Sequence, residues 1–361
     1  MKRRALPRSC PPVLTSSCVH VFMFSCLTPS ALSAAPAPPN PPPAPPDTRI
    51  ASPTLMLQER FQTCPHLPSL PAVALQVLEL AEKPQVHLDE IAQVISRDAA
   101  LSARILRVAN SSFFGHSHKV GTLTHAVVIL GLKTVTPLAL GFSLADGLRQ
   151  HGTRGLDAAR FWRRSLYASA AAHTLSTRFR VGQPEQCFLA GLLMDAGMLL
   201  FDRVLGDEYA DLLLRASSHA HLPDLERIAL GNTHAQASEY LARHWKLPEA
   251  LVLPMALHHE PRRIAEGSLR DACRVAVLAS RCADAFIDDD PHEAIAEARS
   301  LCREHWGCNE QDCDGLLRQI QARTRVLAPL LDINLDEQQI AATREKANAL
   351  RLAAHARRRS A

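Results

Sequence analysis

From position 67 onward, apolar residues recur at intervals of three and four, and no convincing period-two alternation interrupts them. The chain therefore reads as all-helical. Leu67-Pro68-Ser69-Leu70-Pro71 opens a helix with proline in its first turn, where a missing N–H does no harm. Ala74, Val77, Leu78 and Ala81 form its buried stripe, and Lys83-Pro84 stops it. A short helix follows over 88–96. Asp98 caps the next, which carries Leu101, Ile105, Val108 and Ala109 and ends at Asn110-Ser111-Ser112. Phe113-Phe114-Gly115 reads as a turn with two apolar anchors. Helices are expected over 123–130, closed by Gly131, and over 133–148 with a bend at Pro137. Asp157 can cap a long helix through Arg178. Further helices are expected over 207–217, from a Thr233-His234-Ala235-Gln236 capping box to Trp245, and from Pro248 to His258-His259. The last ones fall over 271–286, 292–304, 311–329 and 336–356.

One stretch differs from the rest. Phe188 to Leu200 is apolar on nearly every side of a helical wheel, as a deeply buried helix would be. Asp195 interrupts it. A buried carboxylate is costly unless it is protonated, hydrogen-bonded, ion-paired or metal-bound, so the function depends on which state holds.

Composition narrows the classes. Hydrophobic residues make up 47% of 361 residues, enough for a sizeable core, and a net charge of +4 does not mark a nucleic-acid binder. The pair 88–96 and 99–110 has a helix-turn-helix outline, but only Arg97, Arg104 and Arg107 accompany it, so packing is the expected role. Ten cysteines are scattered without a paired framework and read as free thiols in a reducing cytosol. Cys302, His305, Cys308 and Cys313 cluster, yet match no common zinc-finger spacing. Residues 1–54 read as a leader and stiff proline-rich linker. Their basic start, apolar run 13–32 and Ala34-Ala35-Pro36-Ala37 mimic a secretory signal, which Thr15-Ser16-Ser17, His20, Ser25 and Pro29 break. A cytoplasmic location is expected, with the signal-like segment as the alternative. No run has the length and purity of a transmembrane helix.

Several marks in order carry a family resemblance over about residues 66–285. They are Leu67-Pro68-Ser69-Leu70-Pro71, Ile95-Ser96-Arg97-Asp98-Ala99-Ala100-Leu101, Val108-Ala109-Asn110-Ser111 with Phe114-Gly115, and Ala126-Val127-Val128-Ile129-Leu130-Gly131-Leu132. Phe161-Trp162, Phe188-Leu189-Ala190-Gly191-Leu192-Leu193, His234 and His258-His259 complete the series. In this the chain resembles the HDOD family, the HD-related output domains of bacteria. The resemblance implies an N-terminal helical lobe (66–150) packed on an HD-like helical lobe (156–290), with 291–361 as a helical extension.

The catalytic relatives, HD phosphohydrolases, hold a metal through a first His, a His-Asp pair and a later Asp. Carried over onto this sequence, Arg164 falls at the first His, Met194 at the His of the pair, and Ser280 about where the late Asp would be. Asp195 is retained. His234 and His258 match additional histidine positions, with His259 as the alternative to His258. A guanidinium has no lone pair to offer and methionine is too soft for these metals. The resemblance then implies a degenerate site with no catalytic metal and no cofactor. The replacement of a ligand by a cation opposite a retained acid predicts an Arg164–Asp195 ion pair. Asn110, Ser111, Phe113 and Phe114 are expected to lock the lobe junction. The function expected is non-catalytic signal transduction through a protein partner or a second copy of the chain, with room for a small ligand in the vestigial pocket and with no nucleic acid or membrane. The alternative is a metal-dependent phosphohydrolase acting on nucleotides or cyclic dinucleotides.

Overall fold

Local side-chain caps start several helices at the positions expected. Asp98 accepts from the backbone N–H of Leu101 at 3.0 Å, Asp157 from that of Arg160 at 3.0 Å, and Thr233 with Gln236 closes a capping box. The computed structural model describes Phe61 and residues 68–336, with 82, 84, 112–118 and 151 excepted. The leader 1–54, Leu67, Phe113, Phe114 and the expected helix 336–356 lie outside the described residues, apart from Asp336. Among the described residues there is no strand.

The first lobe comprises α1 (Ala72–Ala81), α2 (Leu88–Ser96), α3 (Ala99–Ala109), α4 (Leu123–Leu130) and α5 (Leu132–Arg149). Gly131, at φ 73°, ends α4, and α5 runs through Pro137 near its start. Arg104 is buried and paired with Asp146 at 2.5 Å and Asp332 at 2.8 Å, while Arg97 donates to Gln76. Of the three arginines on α2–α3, Arg104 is thus turned inward, while Arg97 and Arg107 stay exposed. Asn110 does not reach the second lobe: its amide donates to the carbonyls of Leu106 and Val120 and accepts from Val120 N–H, closing the segment between them. Ser111 likewise bonds only within this lobe, to Val108 O. These bonds hold Asn110 and Ser111 to their own lobe, and the other two residues expected at the junction, Phe113 and Phe114, lie outside the described residues.

The second lobe is built around α6 (Ala158–Phe179), against which α7 (Pro184–Leu193), α13 (Arg270–Ile287) and α15 (Glu310–Leu327) pack. It also holds α8 (Ala196–Leu205), α9 (Asp207–Arg215), α10 (Leu222–Leu230), α11 (His234–His244), α12 (Glu249–Leu257) and α14 (His292–Trp306). The lobes meet where α5 lies on α7, with Gly141 facing Leu189. The C-terminal helices fasten both: Arg149 donates to Leu331 O at 2.7 Å, and Arg323 bonds His173 on α6 at 2.9 Å. No single described helix is long and apolar enough to cross a membrane, and α4–α5, which pass that test jointly, are bent by 118°.

The apolar stretch is not one helix, which corrects the expectation. It breaks at Met194-Asp195 into α7 and α8, with Asp195 at φ −98°, ψ 7°. Two residues on, α8 meets α11 at backbone distance. A Cβ on Gly197 would lie 2.0 Å from His234 O and 2.6 Å from Ser238 N, and Gly197 N–H donates to Ser238 Oγ. This close approach sets His234 beside Asp195. Gly197→Ala is expected to destabilise the fold by about 3 kcal/mol in urea unfolding, at the upper end of overpacking costs. Gly121→Ala, which meets nothing within 4 Å, should stay within about 0.5 kcal/mol of wild type. Equal stability of the two variants would contradict the approach.

Candidate functional site

The backbone break at Asp195 decides what its carboxylate can do. The side chain makes no capping bond to its own helix, so both oxygens face the interior, where Asp195 is 1% exposed. Arg164, four residues beyond the first turn's Arg160 on α6, donates through Nη1 to Asp195 Oδ2. Its Nε and Nη2 donate to Asp284 Oδ1 at 3.0 and 2.8 Å, and Nη2 also reaches Ser280 Oγ at 2.8 Å. The predicted ion pair is present, and it is one half of a bridge. The second carboxylate, Asp284, sits one helical turn beyond Ser280 on α13 and is fully buried. The expectation that this helix had lost its acid is thereby corrected: Ser280 supports Arg164 as an acceptor, while Asp284 brings the charge.

Imidazoles crowd the other side of Asp195. His258 Nε2 stands 3.2 Å from Oδ1, His219 Nε2 3.5 Å and His234 Nε2 3.6 Å. His259 lies against His258, the ring centroids 4.2 Å apart and the planes tilted by 50°. Both members of the His258–His259 pair are thus at the site, and His219 joins them from the loop between α9 and α10. Met194 contributes no donor and is part of the hydrophobic core. His219 Nε2 reaches Asp195 at 3.5 Å and its Nδ1 reaches Asp284 at 3.4 Å, both long for a hydrogen bond, and His234 Nε2 and His259 Nε2 have no hydrogen-bond partner among the described residues.

Outer groups orient these rings. Glu226 accepts from His234 N–H at 2.7 Å and pairs with His234 Nδ1 at 2.8 Å, while Tyr209 OH donates to its other oxygen. His258 Nδ1 donates to Met255 O at 2.6 Å, and Arg281 donates to His259 Nδ1 at 2.7 Å. Burial alone would raise the Asp195 carboxyl, but Arg164 and then His219 outweigh it and hold it well below the usual range. Asp284 is lowered in the same way, against burial, by Arg164, His219 and Arg281. Burial, followed by the Arg164 charge, pulls His219 down to about 3. Burial likewise lowers His258 and His259.

A divalent cation of the kind the fold implies meets two unlike halves here. On the Oδ2 side the guanidinium occupies the acids, so no ion fits. On the Oδ1 side Asp195, His219, His234 and His259 each offer one donor atom, all within 4.8 Å of one another. The inventory expected from sequence, one acid and two imidazoles, becomes two acids and four imidazoles. Among the described residues, Cys302, His305, Cys308 and Cys313 form no such group, and the three cysteines are buried free thiols.

Such a gathering of histidine and carboxylate between helices marks an HD-related domain, and comparison with known proteins agrees. Residues 67–261 match the HDOD domain, so the chain belongs to that family. The match stops before α13, which carries Ser280 and Asp284. A solved HDOD domain protein of unknown function from Geobacter sulfurreducens is 20% identical and superposes with a TM-score of 0.64, covering 79% of this chain and 98% of that one. A presumptive phosphohydrolase from Shewanella amazonensis SB2B is 24% identical, with a TM-score of 0.59 over 76% and 97% of the two chains. At these identities the likeness shows the fold. An uncharacterised protein of Treponema pallidum is 26% identical over 202 residues, and the match spans 54% of this chain but only 37% of that relative.

The depressed histidines make stability depend on acidity. His173, also held at about 3 by burial and then Arg323, and His219 stay neutral when folded yet protonate near pH 6.5 when unfolded. The unfolded chain then binds more protons, so stability falls as pH falls below about 6.5, by roughly 2.7 kcal/mol per pH unit for the pair. The lowered Asp195 and Asp284 contribute stability that is present above the unfolded carboxylate value, about 3.9, and is lost only as pH falls further. Urea unfolding from pH 7 to 4.5 should show this slope, and a flat profile would contradict it.

Proposed function

We propose that this HDOD protein is a non-catalytic regulatory protein of signal transduction that acts by contact with a protein partner. The observation that carries this reading is the Arg164 guanidinium spanning Asp195 and Asp284 in the buried centre. A phosphohydrolase of this fold needs both an ion and a reactive water beside those acids. The guanidinium neutralises them permanently and has no lone pair with which to bind a metal. A cavity of about 290 Å³ opens over Arg164, lined by Phe161, Met198, Leu213, His219 and Asp288 among others, and suits a small ligand that tunes the partner contact. Among the described residues, six buried free cysteines accord with a reducing, cytoplasmic setting.

The second reading is a metal-dependent phosphohydrolase acting on nucleotides or cyclic dinucleotides, and the imidazoles gathered on Asp195 Oδ1 favour it. A divalent ion bound there would polarise a phosphoryl oxygen and lower the pKa of a bound water. The two readings separate in one assay. The full chain, supplied in turn with manganese, iron(II) and zinc, is offered a chromogenic phosphodiester and a cyclic dinucleotide. Turnover should equal that of Asp195→Ala. Hydrolysis by wild type that Asp195→Ala abolishes would establish the enzyme and reject the regulatory reading.

A further inference from the structure

We propose that Cys302 and Cys313 form an oxidation site, where hydrogen peroxide joins the two thiols in a disulfide that clamps the α14–α15 hairpin. Neither residue belongs to the Asp195 cluster, so the proposal stands apart from the question of catalysis.

The hairpin's geometry brings the pair together. A short turn, Gly307-Cys308-Asn309, joins α14 to α15. Gly307, at φ 65°, ends α14, and Cys308 N–H closes the turn on Cys302 O at 3.3 Å. Asn309 and Asp312 box the start of α15. Across the two helices Arg299 holds Asp314 through Nη2 at 2.8 and 3.0 Å and through Nε at 3.2 Å. Arg299 lies one helical turn before Cys302, and Asp314 directly follows Cys313, so this ion pair fixes the register that sets the thiols face to face. Both are turned into the core, each 1% exposed. The Cys302 thiol donates a hydrogen bond to the Cys313 sulfur, and Cys282 of α13 lies beside them.

That hydrogen bond separates Cys313 from the other thiols. It outweighs burial and holds Cys313 below the ordinary thiol value, while it raises Cys302. Burial pushes Cys187, Cys282 and Cys308 up, and Cys273 to about 11. Thiolate character decides which cysteine reacts, so Cys313 is the nucleophile among the described residues. Its sulfur attacks one peroxide oxygen, the O–O bond breaks, and the leaving hydroxide takes the thiol proton to become water. Cys313 is then a sulfenic acid. The Cys302 sulfur attacks it, the S–S bond forms, the S–O bond breaks, and a second water leaves with the Cys302 proton. Two thiols are oxidised and one peroxide is reduced to two waters. Peroxide, little larger than water, enters at the end of the hairpin, where Gly307 and Asn309 are exposed and helix termini open at low cost. Disulfides of a reducing compartment are typically transient and redox-sensing, as this one would be.

The clamp acts on a helix that carries a binding surface. Glu293, Glu297, Ser300 and Leu301 of α14 line a cavity of about 430 Å³, and Glu297 reaches Arg281 at 3.6 Å. The Trp306 ring, stacked on Phe179 with centroids 4.4 Å apart, ties the same turn to α6.

The test treats the folded full chain with hydrogen peroxide, blocks the remaining thiols by alkylation and maps cross-links by tandem mass spectrometry. A 302–313 disulfide is expected, and it should raise the melting temperature until dithiothreitol restores the original value. Cys302→Ala should stop at a Cys313 sulfenic acid, trapped with dimedone, whereas Cys313→Ala should leave Cys302 unoxidised. Cys308→Ala should cross-link as wild type does. The wild-type map decides the pairing even where a variant fails to fold. A cross-link through Cys308 or Cys282, one that forms only in urea, or a folded chain whose Cys313 survives peroxide as a free thiol would overturn the proposal.

Discussion

One guanidinium holds the centre of this protein. Arg164 joins α6 to the α7–α8 break through Asp195 and to α13 through Asp284 and Ser280, with every partner buried. Coulombic attraction in so dry a place is large, but so is the desolvation cost of each charge, and the bridge is viable only because the hydrogen bonds are nearly complete. It specifies how three elements meet more than it adds to net stability. Removing one member would leave an unpaired charge where water cannot reach.

The surrounding fold is arranged to present these groups. At the break, Asp195 makes no capping bond to α8 and its carboxylate stays in the buried centre. Gly197 lets α11 touch α8, which brings His234 to the same oxygen. Asp202, buried on α8, accepts from the backbone N–H groups of Arg154, Gly155 and Leu156 and so fixes the loop leading into α6 and hence Arg164. Even the C-terminal helices take part, since Arg323 and Leu331 fasten them to both lobes. They close the domain, so 292–331 is no free arm.

Much of this was legible in the amino-acid order, and the misses have physical causes. Caps are local, so Asp98, Asp157 and the Thr233–Gln236 box could be placed without knowing the fold. Asp195 stood out as the one charge in an apolar run, and Arg164 as a cation at a ligand position. The break at Asp195 was hidden because the residues on both sides are equally apolar. Asp284 is one acid near the end of an amphipathic helix and carries no local mark, although its spacing of one turn from Ser280 places it on the same face. His219 sits in a polar loop that has no period to read. The helix Leu222–Leu230 is not among the expected elements, although Pro223 in its first turn is a start mark. The contact of Arg104 with Asp332 joins residues too far apart in sequence for any local rule.

The central claim is that Arg164 supplies the charge that holds two buried acids together. A double-mutant cycle on metal-free protein, with Arg164→Met, Asp195→Asn and the pair combined, measures this most directly by urea unfolding. Arg164→Met alone should cost about 3–5 kcal/mol, and adding Asp195→Asn should recover part of it, giving a coupling of roughly 1.5 kcal/mol or more. Losses that simply add, within about 0.5 kcal/mol, would mean the two side chains do not depend on each other and that the account of the site is wrong.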